Sequence, residues 1–174
     1  RKWAVIGETE GNDWSILEQC SLSKSSIQVL SNLDEISSLD LSQCGILYTG
    51  ALSLTTGASD QEYARVIEQL LEINRRVEHI TLPVVVALTN VFDVPTTKGM
   101  VDLIPEQRAI WAFMKVLHQE SVSPKYYLMD VGANQAEVID LDRIIESNYP
   151  EVVFRQEGVY IPELVQQSFS RDIQ

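Results

Sequence analysis

The sequence is poor in the residues that build metal centres, disulfide frameworks and membrane spans. It has two cysteines and two histidines among 174 residues, too few for a disulfide scaffold and too scattered for a metal-ligand pattern. We expect His79 and His118 at helix ends, where the helix dipole favours a cation, and not in a metal site. The longest apolar stretch, 82–88, is far shorter than the roughly 20 residues that cross a bilayer. These shortages predict a protein without a bound metal and without a membrane span.

Basic side chains are also scarce. Thirteen lysines and arginines stand against 25 aspartates and glutamates, which leaves a net charge of −12. A field of that sign repels phosphate backbones and anionic lipids, so we predict neither nucleic acid nor membrane as a partner. The acidic residues are dispersed and form no tail, which is typical of a solubilising surface. An acidic face that docks a basic partner is the alternative.

The two cysteines bear on the compartment. We expect Cys20 within a helix and Cys44 just before a strand, both as small buried apolar side chains in a reducing environment. The chain opens at Arg1 without the apolar run of a signal peptide. We therefore expect a cytoplasmic protein and interpret residues 1–174 as one domain of a longer polypeptide.

Short apolar runs alternate along the chain with longer segments of helical period. The runs predict strands at 3–7, 26–30, 45–49, 83–86, 126–131, 151–155 and 158–162. The periodic segments predict helices at 12–22, 59–77, 105–120 and 136–147, a short amphipathic turn opening at Asn32 or Asp34, and a long loop over 90–102 with a short structured piece at 99–103. Strands that alternate with helices favour a parallel sheet with helices on both faces. The predicted fold class is α/β: a single degenerate Rossmann-like domain with a mostly parallel sheet and a C-terminal hairpin.

Two of these helices carry local signatures. Ser59 and Glu62 have the spacing of a capping box, and Pro105 occupies a first-turn position that favours proline. The inward face of the first is predicted from Tyr63, Ile67, Leu70, Leu71 and Val77. In the second, the predicted core residues are Trp111, Phe113, Met114 and Leu117.

The segment after the first strand is where a Rossmann domain would bind a dinucleotide. Such a site needs closely spaced glycines, because the pyrophosphate approaches the backbone at a helix N-terminus. Here the segment reads Gly7-Glu8-Thr9-Glu10-Gly11-Asn12-Asp13, which has no G-x-G-x-x-G spacing and places three carboxylates where a phosphate would lie. No G-x-x-x-x-G-K-[ST] loop occurs either. The sequence therefore predicts no nucleotide cofactor.

Catalytic arrangements are missing as well. A reductase of the short-chain type needs a tyrosine followed four residues later by Lys or Asn, and none of the six tyrosines has either at that distance. No G-x-S-x-G elbow is present. We accordingly predict no catalytic, cofactor-binding or metal-binding residues in this chain.

Further residues occur in a distinctive order. They are Pro105, Gln107, Ala109, Trp111, Lys115, Val116 and Glu120, then the strand Leu128-Met129-Asp130-Val131, and finally Val153-Phe154-Arg155-Gln156-Glu157-Gly158-Val159-Tyr160-Ile161-Pro162-Glu163-Leu164-Val165. This order resembles the structural subdomain of the ketoreductases of modular polyketide synthases. The runs 45–48, 60–77 and 84–89 are similar in order, so the resemblance spans essentially the whole chain. Ala112 and Ser121 depart from the family, which usually has Gly and often Pro at these positions.

The resemblance implies a function. In that family the structural half is a degenerate Rossmann domain, and the catalytic half that follows holds the nicotinamide cofactor and a Ser/Tyr pair. It implies that this chain is not an enzyme by itself and that it stabilises or positions a neighbouring catalytic domain. It also implies that the partners are synthase domains, either a ketoreductase catalytic half or, in a truncated pseudo-ketoreductase, a methyltransferase or enoylreductase.

Two alternatives remain open at this point. One is the structural half of an active NADPH-dependent β-ketoacyl reductase, whose catalytic half lies outside this chain. The other is a flavodoxin- or receiver-like signalling module, with Asp130 at a strand end joined by Glu8 or Glu10. A receiver needs its phosphoacceptor carboxylate on the third strand, and Tyr48-Thr49-Gly50 supplies none.

Overall fold

A computed structural model describes residues 1–7, 20, 27–40, 42–94, 102–122, 124–132, 139–147 and 149–162. The strands are β1 (Lys2–Ile6), β2 (Ile27–Leu30), β3 (Cys44–Tyr48), β4 (Pro83–Leu88), β5 (Lys125–Val131), β6 (Glu151–Arg155) and β7 (Gly158–Tyr160). The helices are α1 (Asp60–Val77), α2 (Pro105–Glu120) and α3 (Leu141–Glu146), with 3-10 helices at Leu33–Ser38 and Gly50–Ser53.

The strands form one sheet in the order β2-β1-β3-β4-β5-β6-β7. The first six run parallel, and β7 turns back antiparallel to β6 as the predicted hairpin. The chain therefore has a Rossmann-like α/β fold, and the predicted fold class is confirmed. Burial on both faces explains why strands such as β3 and β4 are continuous apolar runs and do not alternate with polar residues.

Each face of the sheet has its own apolar core. On one face α1 and α2 cover the strands, with Ile46, Val84 and Val86 in the same cluster as Leu70 and Met114. On the other face α3 contributes Leu141 and Ile144 to a cluster with Trp3, Val85 and Met129. The helices thus lie on both faces, as the alternation of strands and helices predicts.

Helix α1 begins at the predicted capping box. The Ser59 hydroxyl accepts a hydrogen bond from the Glu62 N–H at 3.3 Å, and the Glu62 carboxylate accepts one from the Ser59 N–H at 2.8 Å. The helix buries Val66, Leu70, Ile73 and Val77. The predicted inward face is confirmed for Leu70 and Val77, which are buried, and for Tyr63 and Ile67, which pack against the core. It is wrong for Leu71, which is half-buried and lies outside the core cluster. The 3.6-residue period places Leu71 about 100° around the helix from Leu70.

Two predictions around Cys20 need correction. Cys20 pairs with Ile139 as an isolated parallel bridge, so it does not lie in a helix. Within the predicted helix at 136–147, Ile139 and Asp140 are not helical, and the helix begins at Leu141 with Asp140 as its N-cap, which accepts a hydrogen bond from the Arg143 N–H. Residues 136–138 lie outside the described residues. The rest of the predicted helix at 12–22, the segment 8–13 and most of the piece at 99–103 lie outside the described residues.

Candidate functional site

The strand order reverses between β1 and β3, since the chain goes from β1 to β2 on one side and then to β3 on the other. In open parallel sheets, ligands bind at the carboxyl ends of the strands where such a reversal occurs. Gly7 follows β1 at that edge, and Thr49 and Gly50 follow β3. This edge is therefore the first place in the fold to examine for a ligand site.

Gly7 is in close contact with the segment after β3. The Thr49 N–H donates to the Ile6 carbonyl at 2.8 Å. A Cβ atom at Gly7 would overlap Thr49 Oγ1 and lie 2.9 Å from the Gly50 nitrogen. Packing against Thr49 and Gly50 is thus enough to explain the glycine at position 7, and phosphate binding is not needed to explain it. The three carboxylates that the sequence places where a phosphate would lie are outside the described residues: Glu8, Glu10 and Asp13.

A crevice of about 510 Å³ opens at the same edge. Its apolar part comes from the partly exposed Leu33 and from Ile6 and Leu30, which are almost fully buried at the ends of β1 and β2. Its polar wall is one stripe of α1, which carries Arg65, Gln69, Glu72 and Arg76, and the start of the first 3-10 helix, including Asn32 and Asp34. The size is within the range of small-molecule sites.

Ion pairs fix one end of this crevice. Arg76 Nη2 lies 2.6 Å from Asp34 Oδ1, and Arg76 Nε lies 2.8 Å from Glu72 Oε1. These hydrogen bonds, first to Asp34 and then to Glu72, raise the pKa of Arg76. The guanidinium therefore connects α1 to the 3-10 helix, and two carboxylates offset its charge.

Gln69 is held at the middle of the polar wall. The hydroxyl of Tyr48, a fully buried side chain, donates to Gln69 Oε1 at 2.7 Å. That bond orients the amide, because only its oxygen can accept. The Gln69 NH₂ makes no hydrogen bond to the described part of the chain.

The tyrosines of β5 lie in the interior. Tyr126 is buried and its hydroxyl donates to Asn74 Oδ1 at 2.6 Å. Burial raises the pKa of both Tyr126 and Tyr127. A phenol in such a site holds its proton more firmly, whereas a tyrosine that donates a proton to a substrate must be accessible and have a lowered pKa. These two tyrosines are placed for packing.

The histidines lie where the sequence predicts them. His79 follows the end of α1 and is 88% exposed, with Nε2 3.0 Å from Glu78 Oε1. His118 lies in the last turn of α2 and is exposed. Over the described ranges, no three His, Cys, Asp or Glu residues are grouped so that they could hold a metal ion.

Asp130, the candidate phosphoacceptor of the receiver alternative, lies inside the protein. It is 2% exposed, and its Oδ2 accepts from Val91 N at 3.1 Å, Phe92 N at 2.9 Å and Arg155 Nη2 at 2.7 Å. Arg155 is 3% exposed and also donates to the Phe92 carbonyl at 3.0 Å. The carboxylate is thus an anchor for the segment after β4. No local motif marks this pair in the sequence; its only sign is that both residues lie near the carboxyl ends of strands that are expected to be neighbours.

Only some of the four predicted core residues of α2 are buried. Met114 and Leu117 are buried, which confirms the prediction for them. Trp111 and Phe113 are only half-buried, packed against the core. Trp111 Nε1 donates to Glu151 at 3.0 Å, and Lys115 lies 5.0 Å from the Trp111 ring centroid. The indole therefore joins α2 to β6 at the edge of the core.

The C-terminal hairpin presents an apolar surface to solvent. Tyr149, Val159, Tyr160 and Ile161 are 48%, 51%, 36% and 47% exposed. Beside them lies a groove of about 320 Å³ between α3 and the last two strands, to which Ile144, Val152 and Phe154 contribute. We call Tyr149, Val159, Ile161 and this groove the hairpin face; Tyr160 does not line the groove, because it pairs with Val153 and lies on the opposite face of the sheet. A cluster of exposed large apolar side chains is typical of an interaction site.

The two cysteines are buried, as predicted, at 2% exposure for Cys20 and 8% for Cys44. Burial raises the pKa of Cys20 to about 12, so its thiol stays protonated and unreactive at neutral pH. Neither forms a disulfide.

Comparison with known proteins adds no family. No protein-family model matches the chain, and no significant match is found among the curated proteins. Within the described segments, no helix is long and apolar enough to cross a membrane.

Proposed function

We propose that this chain is a non-catalytic structural domain that positions a neighbouring catalytic domain of a polyketide synthase. The observation that carries the proposal is the hairpin face, where Val159 and Ile161 expose about half of their surface beside an apolar groove. A folded domain gains little from apolar side chains in water, whereas a docked domain would bury them. The resemblance to ketoreductase structural subdomains supports the choice of partner.

The contacts at the strand ends fit a structural role. Thr49 occupies the space beside Gly7, and Asp130 is engaged with Arg155 and two backbone N–H groups. In doubly wound enzymes these strand ends carry the reacting groups. Here the same positions hold the fold together.

The neighbouring domain is a ketoreductase catalytic half, or a methyltransferase or enoylreductase beside a truncated pseudo-ketoreductase. Polyketide synthases work in the cytoplasm, and free buried cysteines suit a reducing compartment. We accordingly place the protein there.

Docking is tested by co-expressing this chain with the domain encoded next to it and measuring their affinity by calorimetry. The double variant Val159→Ser/Ile161→Ser removes two side chains of the hairpin face, and we expect at least a tenfold loss of affinity. Val116→Ser/Val122→Ser is the matched control, because those valines are 53% and 97% exposed and contribute nothing to the groove. Equal losses in both variants contradict docking through the hairpin face.

A second titration tests the absence of catalysis. NADPH added to this chain alone is expected to give no saturable heat. Micromolar affinity for NADPH would overturn the assignment as a non-catalytic domain, whatever the docking result.

A further inference from the structure

The crevice at the carboxyl ends of β1, β2 and β3 has no part in docking through the hairpin. The sheet order places β2 and β1 at one end and β7 at the other, so the crevice and the hairpin face are separated by the width of the sheet. The crevice, about 510 Å³ in volume, opens to solvent beside a polar stripe of α1.

We propose that this crevice binds an uncharged ring compound with hydroxyl groups, of the nucleoside class. It lies at the reversal of strand order, where parallel sheets of this type bind ligands. The partly exposed Leu33 provides an apolar surface, since Ile6 and Leu30 are almost fully buried, and Gly50 adds backbone without a side chain. A flat ring can lie against such a surface.

Two polar groups are placed to hold the ligand. The Tyr48 hydroxyl fixes the Gln69 amide through its oxygen, so the Gln69 NH₂ is an oriented donor for a ring acceptor. Asp34 gives one oxygen, Oδ1, to Arg76, and its other oxygen accepts no hydrogen bond from the described residues. That oxygen is an acceptor for a ligand hydroxyl. Acidic residues after the second strand have this role toward ribose in doubly wound folds.

The charges disfavour a phosphate on the same ligand. Arg76 is engaged by Asp34 and Glu72. These two carboxylates balance the two arginines that line the crevice, Arg65 and Arg76, so the crevice offers no net positive charge to an anion. The whole chain carries −12, and no G-x-G-x-x-G loop follows β1. A nucleotide would bring its phosphates to a place without a cradle for them.

Calorimetric titration of the intact chain with adenosine, guanosine, cytidine and uridine tests the proposal, with the four 5′-monophosphates in parallel. We expect saturable binding of at least one nucleoside and at least tenfold weaker binding of its monophosphate. If none of the four nucleosides binds, or if the monophosphate binds as tightly as its nucleoside, the proposal is overturned.

Variants locate the binding. Gln69→Leu is expected to weaken the nucleoside at least tenfold, whereas Gln61→Leu, at an exposed position of the same helix, leaves binding unchanged. Asp34→Ala is a second variant, and it is expected to preserve the fold because the Asp34 side chain is 87% exposed. Wild-type affinity in both Gln69→Leu and Asp34→Ala would contradict binding in this crevice. A failed nucleoside titration leaves the docking proposal standing, because that proposal rests on the hairpin variants.

Discussion

The carboxylate of Asp130 connects three parts of the chain that are far apart in sequence. It accepts hydrogen bonds from the backbone after β4 and from Arg155 at the end of β6. Both charged side chains are almost fully buried. Removal of one partner leaves the other charge buried and unpaired, which is costlier than losing both.

Arg155→Met is therefore expected to lower the free energy of unfolding by about 3–5 kcal/mol, measured by urea denaturation. The double variant Asp130→Asn/Arg155→Met is expected to recover part of this loss. Its Asn oxygen still accepts from the N–H groups of Val91 and Phe92, and no buried charge remains. A loss below about 1 kcal/mol in Arg155→Met would show that water reaches the Asp130 carboxylate.

Gly7 gives a second prediction at this scale. A methyl group there would overlap Thr49 Oγ1 and crowd the Gly50 backbone, so Gly7→Ala is expected to cost about 1–3 kcal/mol of stability. Gly57→Asn is the control, because Gly57 has a φ of +85° with nothing within 4 Å of a Cβ atom, and Asn tolerates that backbone. If Gly7→Ala has the wild-type melting temperature, the backbone at Thr49 and Gly50 can shift to make room for the methyl group, and the prediction is wrong.

The sequence alone gives no local sign of either contact. In the sequence, Gly7 is only a glycine without the G-x-G-x-x-G spacing, because a motif contains nothing beyond local spacing. Its actual neighbour, Thr49, is 42 residues away in the chain. Asp130 is a phosphoacceptor candidate in the receiver alternative for the same reason, since only the sheet register brings Arg155 beside it.

At the scale of whole elements, local sequence patterns predict the bounds of those helices that begin at a local signature. Helix α2 matches its predicted range, and the other helix with a capping signal, α1, begins at its capping box. The bridge between Cys20 and Ile139 was missed, because pairing over more than a hundred residues leaves no local period. The prediction for the inward face of α1 is wrong at Leu71. The apolar residues of this helix extend around more of its circumference than the part that packs against the sheet.

The capping box of α1 predicts a pH dependence. Hydrogen bonds from the Ser59 hydroxyl and the Ser59 N–H lower the pKa of Glu62 in the folded state. The ionised carboxylate thus stabilises the fold above the unfolded pKa of Glu62, and this stabilisation is lost as the pH falls through the lowered folded value. At pH 7 we expect wild type to be more stable than Glu62→Gln in urea denaturation, and we expect this difference to disappear in acid. Glu68→Gln, exposed on the same helix, should show no such trend.

The molecule as a whole has two functional candidates at opposite ends of one sheet. The hairpin itself was predicted from sequence, because two apolar runs flank a short turn. The exposure of the hairpin face cannot be predicted in the same way, since it depends on which helices cover which strands. Helix α3 covers β6 only in part, and the groove remains beside Val159 and Ile161. The crevice at the other end depends in the same way on the strand order.

Apolar exposure of the hairpin face is expected to show in the isolated chain. An environment-sensitive apolar dye should bind there, and Val159→Ser/Ile161→Ser should reduce its fluorescence. The melting temperature should change little, because both side chains are about half exposed and lose little contact with the core. Val116→Ser/Val122→Ser removes comparable apolar area elsewhere and should leave the dye signal intact, since isolated exposed side chains form no patch. A large fall in melting temperature in the hairpin variant would instead mean that these residues hold the hairpin against the sheet, and a domain built for docking would not depend on them for its own fold.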